Sequence, residues 1–142
     1  MSQPLDIAVI GATGTVGETL VQILEERDFP VANLHLLASS ESAGQSVPFR
    51  GKNVRVREVD EFDFAKARLV FFAAGPAVTL SFAARATAAG CAVIDLSGAL
   101  PVPQVVPEAN GASLYRSAAP ALRPLRWPWC WRRSRVCWIS VM

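Results

Sequence analysis

The stretch Ile7-Ala8-Val9-Ile10-Gly11-Ala12-Thr13-Gly14-Thr15-Val16-Gly17-Glu18-Thr19-Leu20-Val21-Gln22-Ile23-Leu24 sets the fold class. Its first four residues form an uninterrupted, β-rich apolar run that stops at Gly11, the pattern of a strand buried on both faces. From Val16 the pattern changes. Val16, Leu20, Ile23 and Leu24 recur at helical spacing up to Arg27, and Asp28-Phe29-Pro30 ends the helix. Between strand and helix the glycines are spaced G-x-x-G-x-x-G. Glycine permits a tight turn there and lets the backbone approach a pyrophosphate. The helix start supplies free N–H groups and a partial positive charge. Gly11, Thr13, Gly14, Thr15, Val16 and Gly17 are therefore the candidate dinucleotide-binding residues, with Thr13 and Thr15 as possible hydroxyl donors. The other reading of the same loop is a tight strand-to-helix turn that binds nothing.

Working outward, Leu34 to Ala38 reads as a second apolar strand. Val47 to Phe49 and Val54 to Val59 flank Arg50-Gly51-Lys52-Asn53 and read as a hairpin, and the alternation in Val54-Arg55-Val56-Arg57 predicts one solvated face. Leu69 to Ala73 is a further buried strand, punctuated by Gly75-Pro76. Val78 to Ala89 is a helix of small residues closed by Gly90, and Ala92 to Asp95 a last strand. Leu100 to Pro107, with three prolines, is extended or looped. The order β-α-β, hairpin, β-α-β predicts an α/β fold: a Rossmann-type, doubly wound, mostly parallel sheet.

The end of the second strand should choose the cofactor. An acid there suits the free ribose hydroxyls of NAD, and an arginine suits the 2′-phosphate of NADP. Here the sequence is Leu37-Ala38-Ser39-Ser40-Glu41-Ser42-Ala43-Gly44. Ser39, Ser40 and Ser42 could hold a phosphate, whereas Glu41 would repel one. The residues lean to NAD and leave NADP open, and a merely solvated polar turn is the other reading.

The 142 residues suffice for one domain with a core, and 51% hydrophobic against 18% charged residues argues against disorder. There is no apolar run of membrane-spanning length, and no basic region precedes an apolar stretch at the N-terminus, so neither a membrane span nor a secretory signal is expected. Three widely spaced cysteines suit a reducing cytoplasm rather than a disulfide framework. The one histidine, His35, lies within a strand with no Cys or His at ligand spacing, so no metal site is expected. Cys91, after Gly90, reads as a small buried apolar residue.

The net charge of +2 conceals a break. All twelve acids lie between Asp6 and Glu108. Residues 116–142 hold six arginines, no acid, all four tryptophans and two of the cysteines, Cys130 and Cys137. The expected division is a dinucleotide-binding domain over 1–114 and a non-native or disordered tail over 115–142. Arg, Pro, Ala, Trp and Cys are what a GC-rich gene yields in a shifted reading frame, which is the leading reading of the tail. Arginines among tryptophans also suit a membrane surface or nucleic acid. Pro120, Pro124 and Pro128 break any amphipathic helix, however, and no nucleic-acid motif is present, so neither partner is expected.

Residues 5 to about 114 resemble the aspartate-semialdehyde dehydrogenases, and the Usg-like paralogues within that family most of all. The likeness is carried by Gly11 to Gly17, by Leu37 to Gly44, by Ala74-Gly75, by Ala89-Gly90 with Val93-Ile94-Asp95, and by Val105-Val106-Pro107-Glu108-Ala109-Asn110. The resemblance adds Ala74 and Gly75 to the cofactor-binding residues. It implies NADP or NAD as cofactor and a dimeric cytoplasmic oxidoreductase of amino-acid biosynthesis, with a thioester-forming cysteine and an acid/base histidine. This chain departs from the family in three places. Glu41 stands where the family has arginine. Asp95-Leu96-Ser97-Gly98-Ala99-Leu100-Pro101 keeps the Asp and one Ser of the family's segment but lacks its Asn and its substrate-holding Arg. No Pro-Asn-Cys motif follows Asn110, and neither Cys130 nor Cys137 has that motif's flanks. The chain thus reads as the cofactor-binding half of such an enzyme, without a recognisable catalytic Cys or His. The other reading is a non-catalytic nucleotide-binding or interaction protein derived from the family.

Overall fold

A computed structural model describes residues 3–100 together with the short strands at 104–105 and 139–141. The elements run β1 (Leu5–Ile10), α1 (Thr15–Glu26), β2 (Val31–Ala38), β3 (Ser46–Phe49), β4 (Lys52–Glu58), β5 (Leu69–Phe72), α2 (Pro76–Ala88), β6 (Ala92–Asp95), β7 (Gln104–Val105) and β8 (Ile139–Val141). The strand order across the sheet is β3-β4-β2-β1-β5-β6-β8-β7. The five strands from β4 to β6 are mutually parallel, β3 closes one side as an antiparallel hairpin partner of β4, and β8 pairs antiparallel with both β6 and β7.

Two cores sandwich the sheet, and the two-residue period of a strand sorts side chains between them. Ile7 and Val9 of β1, Leu36 and Ala38 of β2, and Leu69 and Phe71 of β5 pack with Val21 and Leu24 of α1. The intervening residues, Ala8, Ile10, Leu37, Val70 and Phe72, pack with Ala83 and Ala86 of α2 on the opposite face. This is the doubly wound arrangement expected from the sequence. The central strands lack polar alternation because each face has its own helix, and each fully buried Ile, Leu or Phe contributes about 1.5–3 kcal/mol.

Several boundaries differ from the sequence reading, each for a local reason. α2 begins at Pro76 rather than Val78, because proline at the first helical position forfeits no hydrogen bond. It ends on Gly90 at φ +82°, where the Cys91 N–H bonds back to the Ala86 carbonyl. β2 starts at Val31, ahead of its apolar run, because Leu5 and Asp6 of β1 draw Val31 and Asn33 into the ladder. The hairpin turn is only Arg50-Gly51, both at positive φ, with Phe49 opposite Lys52. Arg50 keeps this left-handed conformation because it is held from three sides. Its N–H donates to Glu25 Oε1 (2.8 Å), its Nη2 donates to Asp28 Oδ1 (2.9 Å) and to the Phe29 carbonyl (2.6 Å), and its guanidinium lies 5.3 Å from the Phe49 ring centre. The hairpin is thereby fastened to the end of α1.

No helix among the described residues is long and apolar enough to cross a membrane. The composition break at 115 lies outside the described residues apart from Ile139–Val141, whose backbone adds to the β6 edge with Ser140 opposite Asp95.

Candidate functional site

β1 occupies the middle of the sheet, with β2 on one side and β5 on the other. Its chain exits toward α1 on one face, while that of β5 exits toward α2 on the other. The crevice between two such diverging connections is where open α/β sheets bind ligands. Gly11 to Gly17 lie in it.

The loop is fixed by backbone alone. The Gly11 and Ala12 N–H groups both donate to the Leu37 carbonyl, at 2.8 and 3.2 Å, which staples the loop to the end of β2. Gly11 has φ +82°, and a Cβ there would lie 2.8 Å from the Ala73 oxygen and 2.9 Å from Ala74 Cα. A Cβ on Gly17 would lie 2.1 Å from the Gly11 oxygen and 2.8 Å from Ala12 Cα. At both positions only a hydrogen fits. Gly14 differs: its φ is an ordinary −85°, and an added Cβ would meet nothing nearer than the Gly11 oxygen at 3.4 Å. It caps α1 without any side-chain hydrogen bond, so the first N–H groups of the helix face outward unprotected.

Around that bare helix start, Gly14, Thr15 and Val16 are exposed, Val16 at 53%, and Thr13 is half-buried. Among the described residues the Thr13 and Thr15 hydroxyls have no hydrogen-bond partner. Ala74 comes directly against Gly11, and Gly75 caps α2 beside it with open space around its α-carbon. Ser39 and Ser40 are exposed on the turn after β2, which is closed by the Ser42 and Ala43 N–H groups on the Ser39 carbonyl (both 3.0 Å). The three β-strand ends thus bring the glycine loop, Ala74-Gly75 and the serine turn to one edge of the sheet.

The sequence reading missed one buried network beside this edge. Asp95, 1% exposed, accepts the Ser97 hydroxyl (2.6 Å), the Ser97 N–H (2.7 Å) and the Leu100 N–H (3.0 Å). The hydroxyl of fully buried Thr79 lies 3.1 Å from Ser97 Oγ. Burial alone would raise the Asp95 pKa. The Ser97 hydroxyl and the backbone N–H groups of Leu100, Ser97 and Ala99 outweigh it and hold the carboxyl below its ordinary value. The carboxylate is spent on its own loop. Thr79, four residues after Gly75, is the only fully buried polar side chain of α2, and nothing in the sequence sets it apart from Ser81 and Thr87 of the same helix.

Cys91 is buried, with Sγ 3.1 Å from both the Phe64 and the Ala67 carbonyls, and burial pushes its thiol pKa up. It is a packing residue, as the sequence reading held, and an unreactive thiol. Cys130 and Cys137 lie outside the described residues. His35 lies with its ring centre 5.1 Å from that of Phe62, the two rings tilted by 49°, and opens onto a groove of about 560 Å³, shared with Arg57, Lys66, Glu58 and Glu61. Desolvation first, then the charge of Arg57, lowers its pKa. No residue of the glycine loop lines that groove.

Strand order, diverging connections and the glycine cradle together define a Rossmann-type dinucleotide-binding domain. Comparison with known proteins gives the family. Residues 6–117 match the family described as semialdehyde dehydrogenase, NAD binding domain, and the chain belongs to it. A protein of Azotobacter vinelandii called USG-1 protein homolog is 60% identical, over 84% of this chain and 37% of its own length. The aspartate-semialdehyde dehydrogenase of Shewanella violacea is 48% identical over 78% of this chain and 34% of that protein. Among solved structures, aspartate semialdehyde dehydrogenase II from Vibrio cholerae superposes with a TM-score of 0.77 at 42% identity, covering 80% of this chain and 35% of that one. The chain therefore spans little more than a third of the length of these relatives and corresponds to their NAD-binding part.

Proposed function

We propose that the edge formed by Gly11 to Gly17, Ser39-Ser40 and Ala74-Gly75 binds a nicotinamide dinucleotide. In this reading the pyrophosphate lies on the bare N-terminus of α1. The observation that carries it is the contrast among the three glycines. Gly11 and Gly17 are demanded by the chain's own packing, whereas Gly14 is demanded by neither packing nor φ and leaves the helix start open to a ligand. Thr13 and Thr15 offer hydroxyls to the phosphates, and Ser39 and Ser40 stand at the adenosine ribose. When bound, the dinucleotide supplies a hydride donor or acceptor. This domain's part is to hold and orient it.

The test is calorimetric titration of the chain with NAD(H) and NADP(H). Saturable binding is expected, and no binding of either at millimolar concentration overturns the proposal.

The oxidoreductase reaction on an aldehyde or acyl group, dimer formation and a cytoplasmic setting belong to the same proposal and rest on the family relationship. The division at residue 114 does too, supported by the charge break and by the family match ending at 117. A non-catalytic nucleotide-binding role is the second reading. It is favoured by the turning of Asp95 into its own loop and by Leu96 and Gly98-Ala99-Leu100 after it, which leave that loop without a cation for an anionic substrate. Turnover of aspartate semialdehyde that is abolished by Cys91→Ser, Cys130→Ser or Cys137→Ser would refute the second reading.

A further inference from the structure

The dinucleotide reading leaves the choice between NAD and NADP open, and the turn after β2 bears on it. Resting on that reading, we infer that Glu41 makes this site selective for the dinucleotide whose adenosine ribose carries a free 2′-hydroxyl, and that it rejects the 2′-phosphorylated form.

Glu41 lies three residues beyond the end of β2, at the exposed tip of the turn that Ser39 closes. This turn cannot swing away freely. Its first residue follows the strand whose Leu37 carbonyl anchors the glycine loop, and its last, Gly44, donates to the Val56 carbonyl of β4 at 2.9 Å. The turn is thus clamped between the loop that would hold the pyrophosphate and the neighbouring strand. A ribose attached to that pyrophosphate would lie toward this turn, because loop and turn are both anchored at the end of β2. A carboxylate there accepts hydrogen bonds from vicinal hydroxyls, while a phosphate dianion in the same place faces like charge.

Among the described residues no cation pairs with Glu41, although Arg55, Arg57 and Lys66 line the His35 groove that Ala43 and Gly44 of the turn also border. The only ion pair among the described residues is Arg50–Asp28, at the far end of α1, so no cation neutralises Glu41 there. β4 ends beside the turn with Glu58 opposite Ala38, and Asp60 and Glu61 follow. Arg57 sits opposite Leu37 and lines the His35 groove. Ser39 and Ser40 are neutral donors, which serve a hydroxyl as well as a phosphate and cannot cancel a carboxylate.

The experiment is calorimetric titration of the full chain with NAD and NADP at matched, low ionic strength, repeated on Glu41→Arg and Glu41→Gln. Glu41 is exposed and turn-borne, so thermal melts of the variants should match the parent and show that folding is unchanged. NAD is expected to bind at least roughly tenfold more tightly than NADP. Glu41→Arg should reverse that order, and Glu41→Gln should strengthen NADP and weaken NAD. The inference is overturned if NADP binds as tightly as NAD, or if Glu41→Arg leaves their ratio unchanged. Absence of binding by both cofactors overturns the dinucleotide reading itself and this inference with it, an outcome distinct from binding without preference.

Discussion

Replacing Gly17 by alanine tests the glycine cradle most directly. The new methyl carbon would sit 2.1 Å from the Gly11 oxygen and 2.8 Å from Ala12 Cα and the Gly11 carbonyl carbon. All three are backbone atoms, so no rotamer change relieves the clash, and the loop or the first turn of α1 must shift by about 1 Å to reach ordinary contact. Overpacking of this kind costs about 1–3 kcal/mol, and a contact this short calls for the upper end. Alanine regains about 1 kcal/mol of helix propensity, leaving a net loss of about 2 kcal/mol. For a domain of this size that lowers Tm by roughly 10 °C. The same displacement moves the N–H groups that would receive the pyrophosphate, so dinucleotide affinity should fall by at least roughly tenfold. Gly14→Ala is the matched control. Its Cβ meets nothing closer than 3.4 Å, so the stability loss should be only the roughly 0.5–1 kcal/mol by which alanine is a poorer N-cap than glycine, while affinity still falls, because the methyl enters the space in front of the helix. Differential scanning fluorimetry and calorimetric titration separate the two effects. A Gly17→Ala protein with parental Tm, or a Gly14→Ala protein with parental affinity, would refute the reasoning.

Three further predictions concern Asp95 and Cys91, which are buried, and His35, which is half-buried. Asp95→Asn should destabilise the protein near neutrality, because an amide cannot accept both backbone N–H groups as a carboxylate does. Since the folded Asp95 pKa lies below its ordinary value of 3.8, its contribution is present above that pH and lost as pH falls below it. Urea midpoints for parent and variant should therefore converge in acid. His35 is shifted down from 6.5, so the unfolded chain takes up its proton first and stability declines as pH falls from 6.5. His35→Leu should flatten the Tm–pH curve in that range, and an unchanged slope would rule out burial of neutral His35 as its cause. In a Cys130→Ser, Cys137→Ser background, Cys91 should resist iodoacetamide in the folded protein and react on unfolding. Rapid labelling of native protein, read by mass spectrometry, would contradict its burial.

Much of this was legible because the central strands announce themselves. Ile7 to Ile10 and Leu69 to Phe72 are apolar without alternation, which only a sheet covered on both faces accommodates, and Gly11 breaks the run where the chain must turn. Which residue faces which helix is not written in such a run, because every side chain in it is apolar. Packing against Val21 and Leu24 on one face and Ala83 and Ala86 on the other decides that. The glycine spacing located the cradle but not the division of labour within it, since three identical letters conceal two steric necessities and one open position. Arg50 at positive φ and the Asp95 loop were illegible for a related reason. Arg50 is held by Glu25 and Asp28, more than twenty residues away in the chain, and Asp95 by backbone N–H groups, and neither kind of partner is marked by local pattern.

The central position of β1 has a consequence for how the chain is born. Its first neighbour, β2, is 26 residues away in register, Leu5 opposite Val31. Its second edge waits for β5, with Ile7 opposite Leu69. At translation rates of about 5–20 residues per second, the innermost strand emerges several seconds before the partner that closes it. During that interval the most apolar segment of the nascent chain has one edge and most of one face bare. Nothing within the first four strands can cover them, so the domain gains its cooperativity only once β5 and α2 have left the ribosome. An early stop before residue 72 would release a polypeptide with an open sheet rather than a smaller stable fold.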